Sequence, residues 1–266
     1  MPPLPANPSH APARKIGERE FVLLMAFLQA LQAFAIDAML PALGAISSDL
    51  GVTSANHRQL IVGVFLVSAG IGALVPGPLA DRFGRRRVLM ACLGLFICLS
   101  LACALVRDFT GLLVLRGLSG FVSAGMAVLP PAIIRDRMEG DAMARTQSLI
   151  TMIFMLVPML APSLGQVILS LAGWRWIFGS MAVMGVIAAF WAGFRLEETL
   201  VAESRQPMSA GSVAGAMRDA VFTRGAFGYV VGSALIAGGL FSFLNSAQQL
   251  IGEHFGMGKW FPLVFG

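Results

Sequence analysis

The chain has 266 residues, of which 57% are hydrophobic and only 12% charged, with a formal net charge of +5. Soluble domains carry roughly 25% charged residues, so this chain cannot hide its apolar surface in one water-facing core of ordinary proportions. The apolar residues arrive in continuous blocks of about 20, the length a helix needs to cross a hydrocarbon layer of about 30 Å, which excludes a soluble enzyme and specifies an all-α integral membrane protein.

Residues 1–19, rich in Pro and Ala and carrying Arg14, Lys15 and Arg19, are expected to form a disordered tail. Seven spans follow, at 20–41, 59–80, 88–106, 111–134, 146–170, 175–194 and 225–247, and an eighth begins near Trp260. Unbroken apolar blocks, rather than period-two alternation, require helices and not barrel strands. The first block is too long for a removable leader and lacks a small-residue cleavage site. Very short connections at 107–110 and 171–174 make their flanking spans antiparallel hairpins. Residues 196–224 are polar and contain Pro207, Ser209, Gly211 and Ser212, the composition of a linker between two bundles. The expected organisation is therefore the tail, a six-helix bundle over 20–195, the linker, and the beginning of a second bundle over 225–266.

Lys and Arg distribute unevenly between the two sides. Fourteen lie on the side of the tail: Arg14, Lys15, Arg19, Arg82, Arg85, Arg86, Arg87, Arg135, Arg137, Arg145, Arg195, Arg205, Arg218 and Arg224. Four lie on the other, Arg58, Arg107, Arg175 and Lys259, and Arg116 falls inside a span. The amino terminus, the tail and the linker are accordingly expected in the cytoplasm, with the protein in the cell's inner (plasma) membrane. The basic balance reflects orientation against anionic lipid and gives no reason to invoke nucleic acid.

Catalytic and cofactor chemistry finds no foothold in this sequence. Cys92, Cys98 and Cys103 share the third span and read as small buried apolar residues. His10, His57 and His254 are scattered over the tail and two outer connections, so neither a metal nor another cofactor is expected. A phosphate-cradling Gly-rich loop, a nucleophile elbow and an HExxH helix are all missing, which argues against an enzyme or an ATP-driven pump.

The segment Gly77-Pro78-Leu79-Ala80-Asp81-Arg82-Phe83-Gly84-Arg85-Arg86-Arg87 joins the second and third spans. Gly77 would permit close helix approach, Gly84 would reverse a short connection, and Asp81 offers a carboxylate for neighbouring guanidinium groups to clamp. Four arginines could hold topology alone, but that would not require Gly77, Asp81 and Gly84 at this spacing. The run resembles the signature loop of the major facilitator superfamily of secondary transporters. Leu115-Arg116-Gly117-Leu118-Ser119-Gly120 resembles the family's fourth-helix element. Asp37-Ala38-Met39-Leu40-Pro41 resembles the first-helix element of its drug:proton antiporters, especially the Bcr/CflA-like branch. Ala161-Pro162-Ser163-Leu164-Gly165-Gln166 resembles their fifth-helix element, around Pro162 and Gly165, with Ala161 and Gln166 in place of glycines. Gly173-Trp174-Arg175-Trp176-Ile177-Phe178 and Glu197-Glu198-Thr199-Leu200 resemble the segments flanking the sixth helix, and Arg135-Asp136-Arg137 resembles the charge cluster that locks the signature loop.

The resemblance implies a complete first bundle and the start of a second, and a proton-coupled exporter of small hydrophobic or cationic compounds. It also implies a monomer when full length, whose partners are the lipid bilayer, protons and a small-molecule substrate. A metabolite-specific facilitator of the same fold is the alternative. A seven-helix receptor or retinal protein fits poorly, since Lys15 and Lys259, the only lysines, lie outside every span. About one and a half helices of a second bundle make the chain read as a fragment, unable to transport alone.

Two intramembrane charges, Asp37 and Arg116, are expected to carry the coupling, because an ionisable group in a membrane helix is costly and normally functional. Placed about 6 Å and 9 Å from the outer ends of their spans, they are expected to interact directly or through water. Gln29, Gln32, Phe34, Met152, Met155 and Asn245 are candidate cavity-lining residues. Pro130-Pro131 is expected to kink the fourth helix. Ser68 with Gly72 and Gly228 with Gly232, each pair four apart, are expected at close helix contacts.

Overall fold

The computed structural model describes residues 16–52, 54–200, 215 and 226–250. Most of the expected tail and linker, and the segment around Trp260, lie outside the described residues. The helices are α1 (Glu18–Asp37), a 3-10 turn (Leu40–Ala42), α2 (Leu43–Asp49), α3 (Ala55–Gly72), α4 (Pro76–Phe83), α5 (Arg85–Leu105), α6 (Phe109–Arg137), α7 (Gly140–Ala172), α8 (Arg175–Arg195) and α9 (Ala226–Gln249). Among the described residues there is no strand.

Five spans are long and apolar enough to cross a membrane: Glu18–Asp49, α5, α6, α7 and α8. The bent pair α3 and α4 makes a sixth. The seventh expected span corresponds to α9, whose apolar stretch Phe227–Leu240 is shorter than a full crossing.

Two spans depart from the continuous helices expected of them, and proline is the reason in both. The first does not end at residue 41. It breaks after Asp37, passes through the 3-10 turn and resumes as α2 to Asp49. Pro41 has no N–H to offer the carbonyl of Asp37, so the ladder must be interrupted there. The second breaks between Gly72 and Pro76 and bends by 43°; Pro76, suited to a helix start, opens α4. By contrast, α6 runs unbroken through Pro130 and Pro131 from Phe109 to Arg137.

In a bilayer, lipid tails are as apolar as leucine, so close packing and polar contacts must hold helices together. The most extensive pairings are α3 with α6, α5 with α8, α5 with α6 and α1 with α7. Glycines set several of them. A Cβ on Gly72 or Gly120 would strike the backbone of Phe121 or Phe65 across the α3–α6 contact, and one on Gly165 would strike the carbonyl of Ala38. Gly228 and Gly232, expected at such contacts, face open space, as does Gly77. Helix α1 is the most enclosed of the spans and α7 the least. The core runs along α1 from Phe21 through Leu24, Leu28 and Leu31, and meets Phe65, Phe96 and Phe178 from α3, α5 and α8.

Candidate functional site

The break after Asp37 places this residue at the C-terminal end of α1, wrapped by the bundle. It is 3% exposed. Its Oδ1 is buried without a hydrogen-bond partner among the described residues. The first span continues twelve residues beyond it, so Asp37 lies about 18 Å from Asp49 along the helical path rather than about 6 Å from the outer end. It lines a cavity of about 310 Å³ whose walls also include Gln32 and Ile36 of α1, Leu66 of α3, Phe154 and Pro158 of α7 and Leu240 of α9. Among the described residues, Asp37 and Gln32 are the only polar side chains in that wall. One turn below, Gln29 presents a buried Nε2 that also lacks a partner. Buried polar groups are normally satisfied, and α1 carries two that are not, on Asp37 and Gln29.

Arg116 makes no direct contact with Asp37 among the described residues, so of the two contacts expected, direct or through water, the direct one is absent. Its guanidinium is 1% exposed and donates to two backbone carbonyls, from Nε to Ile61 at 3.3 Å and from Nη2 to Ala35 at 3.2 Å. It lies over the Phe65 ring at 4.1 Å and faces Phe178 at 5.9 Å. Helical carbonyls keep a second lone pair for such a donor, and an aromatic face supplements it. Arg116 thus bolts α6 to α1 and α3, two residues from Asp37. The depth of Asp37 is counted in the sequence from residue 41, whereas the span runs on to Asp49, so the two depths do not match.

The remaining lining candidates divide. Gln32 lies in the cavity wall, whereas Phe34 is core. Met152 and Met155 are 61% and 70% exposed and are not part of this wall, to which α7 contributes Phe154 and Pro158. Asn245 belongs to α9, and its side chain lies outside the described residues. Pro162 and Gly165 are buried, and Gly165 rests on the carbonyl of Ala38. The fifth-helix element therefore packs against the break that follows Asp37.

At the other end of the bundle, the signature loop is organised by Arg85, 4% exposed. Its Nη1 meets Asp81 at 2.7 Å, its Nε meets Asp136 at 3.0 Å, and its backbone N–H donates to Glu198 at 2.7 Å. Thr199 donates to the same Asp136 oxygen at 3.3 Å. Gly84 has φ +100°, a left-handed conformation that favours glycine, and the Glu198 carboxylate occupies the place of its absent Cβ. Arg86 donates to the carbonyl of Gly193. Arg82 and Arg135 are exposed, Arg82 lying over Phe83 at 5.1 Å. Asp81 is thus held from within its own loop, and Asp136, not Arg135, joins the network.

Two clamps were not foreseen. Glu20 accepts two bonds from Arg195, at 2.6 and 2.5 Å, and one from Trp191 at 3.2 Å, tying the start of α1 to the end of α8. Asp49 accepts from Arg175 at 2.7 Å and Trp174 at 3.1 Å, joining α2 to α8 at the opposite end. Their partners are more than a hundred residues apart, so no local spacing announces them.

A helical membrane bundle with a buried carboxylate in an apolar cavity and an arginine-centred loop at one end has the architecture of a secondary transporter's half. The sequence profile of the Major Facilitator Superfamily matches residues 22–266, and the chain belongs to that family. It is 35% identical over 91% of its length to the uncharacterized MFS-type transporter YdgK of Bacillus subtilis, covering 61% of that protein. It is 30% identical over 86% of its length to a bicyclomycin resistance protein homolog of Haemophilus influenzae, covering 57%. It is 33% identical over 67% of its length to the multidrug resistance protein MdtL of Klebsiella pneumoniae, covering 45%. The chain thus spans roughly half to three fifths of the length of these relatives. The human organic anion transporter MFSD10 (TETRAN) shares the fold, with a TM-score of 0.68 and 21% identity over 93% of this chain and 69% of that one.

Proposed function

We propose that the protein carrying this chain is a proton-coupled exporter of small hydrophobic or cationic compounds, with Asp37 as the group that alternately holds a proton and meets the cargo. One observation carries the reading: a buried carboxylate with a partnerless oxygen in the wall of an otherwise apolar cavity. A bare anion there is costly. It calls for a proton or an external cation, and each excludes the other. That competition is the elementary step of antiport.

Arg116 acts as a fixed charge that anchors the helices around Asp37. The interrupted first span is the place where the path can flex, and broken helices at a midplane site are a recurrent device of secondary transporters. The negative end of the α1 dipole favours a cation at the same point. The names of the bicyclomycin and multidrug resistance relatives support export of drug-like compounds. The protein would act as a monomer spanning the plasma membrane several times, with its amino terminus in the cytoplasm, as a carrier and not as an enzyme. Ala161 and Gln166, which replace glycines of the antiporter element, favour a second reading in which the same site serves one defined metabolite.

The test is proton release from everted vesicles of cells expressing the protein, on addition of a lipophilic cation such as tetraphenylphosphonium. Wild type should discharge the imposed proton gradient, and Asp37→Asn should not. Equal discharge by both would sink the proposal; a response confined to a single metabolite would favour the second reading.

A further inference from the structure

The four arginines of the signature loop divide into two kinds. Arg85 and Arg86 are used internally, and the acids around them, Asp81, Asp136 and Glu198, are engaged with Arg85. Arg82 and Arg87 are exposed, and neither has an acidic partner among the described residues. Arg87 stands in the wall of an outward-facing groove of about 440 Å³, separate from the cavity at Asp37. The 43° bend between α3 and α4 contributes Val75 and Leu79 to one side, α5 supplies the floor from Arg87 to Leu95, and Phe121 of α6 closes the other side. Apart from Arg87, the described residues of the wall are apolar.

The dimensions select the occupant. From Arg87 to Leu95 the groove follows α5 for about 12 Å, close to half of a hydrocarbon layer of about 30 Å. An amphiphile with an anionic head and a tail one leaflet deep matches both the cationic mouth and the apolar floor. We propose that this groove is a binding site for an anionic glycerophospholipid of the leaflet next to the signature loop. Its phosphate would be held by Arg87 with Arg82 beside it, and one acyl chain would lie along α5 under the α3–α4 bend. The lipid would thereby brace the bend from outside, without touching Asp37.

Native mass spectrometry of the purified full chain, titrated with phosphatidylglycerol or phosphatidylcholine of identical tails, tests this. Phosphatidylglycerol should bind more tightly. Arg87→Gln should weaken it about fivefold, the worth of one arginine near an anionic surface, while the equally exposed Arg145→Gln should leave it unchanged. Ala91→Phe, which fills the groove, should weaken both lipids. Arg87→Gln alters an exposed side chain, so it reports even if Ala91→Phe does not fold. Equal affinity for the two lipids would overturn the proposal. So would equal effects of Arg87→Gln and Arg145→Gln, which mean diffuse surface charge. Full competition by glycerol 3-phosphate would mean a headgroup site without a tail, and a dimer lost on Ala91→Phe would mean a second copy in the groove; each overturns it too.

Discussion

Asp37 and Arg116 are neighbours with opposite situations. The carboxylate has an orphan oxygen in a cavity, while the guanidinium has its donors on Ile61 and Ala35 and a ring beneath it. Substitution should separate their roles. Asp37→Asn is close to isosteric and should leave the melting temperature nearly unchanged while abolishing proton-linked activity. Arg116→Ala removes the largest fully buried side chain and should cost about 3 kcal/mol of stability. Arg116→Lys, which cannot fork between two carbonyls, should cost about 1 kcal/mol. Thermal melting in detergent checks all three; a fully stable Arg116→Ala would mean that the two backbone contacts hold nothing. Under the proposed function, protons and a cationic ligand compete for the one carboxylate of the cavity, so affinity for tetraphenylphosphonium should rise with pH in wild type and become flat in Asp37→Asn, as read by isothermal titration.

Helix contacts give sharper predictions for glycines than sequence spacing does. Gly165→Ala would drive a methyl group into the Ala38 carbonyl and should cost about 1–3 kcal/mol, typical of overpacking. Gly77→Ala meets open space and should be neutral or stabilising by about 0.5–1 kcal/mol. Melting curves of the two variants compare them directly; equal losses would contradict the packing described. The legible part of each element was its apolar length, which placed α5, α6 and α8 within a few residues. What escaped was the breaks. Pro41 and Pro76 were visible, but reading an apolar block as one helix hides a missing backbone donor. Met152 and Met155 do not line the cavity at Asp37, and on a helix apolar all round, composition does not say which face meets a given cavity. Gly77 had the right residue type for a close contact but the wrong neighbours, which only the assembled bundle reveals.

Among the described residues, ion-pair clamps sit at the ends of the helices, while the middle is held by packing and by the bonds of Arg116 to Ile61 and Ala35. Glu20 with Arg195 and Trp191, Arg85 with Asp81, Asp136 and Glu198, and Asp49 with Arg175 and Trp174 join elements distant in sequence. The signature loop could be recognised in the sequence, whereas its link to Glu198 could not, because 113 residues separate the partners. Glu198 fills the space left by Gly84 and caps the start of α5. Glu198→Ala should therefore release the segment after α8, and hydrogen exchange at residues 196–200 should accelerate at least tenfold while exchange within α6 stays unchanged. No difference at 196–200 would mean that Arg85 and Asp136 hold the segment without it. Glu20→Gln should matter less, because a solvent-screened ion pair contributes little to stability.

The glycine contacts have a further consequence. Gly72, Gly120 and Gly165 bring backbone against backbone, so the relative positions of α1, α3, α6 and α7 depend little on the side chains around them. None of the three lines the cavity, whose walls are built from Gln32, Ile36, Leu66 and Phe154. Scaffold and lining are thus written in different residues. Under the proposed function, a lineage could retailor what it carries by exchanging a few side chains at those four positions, with the helices left where they are.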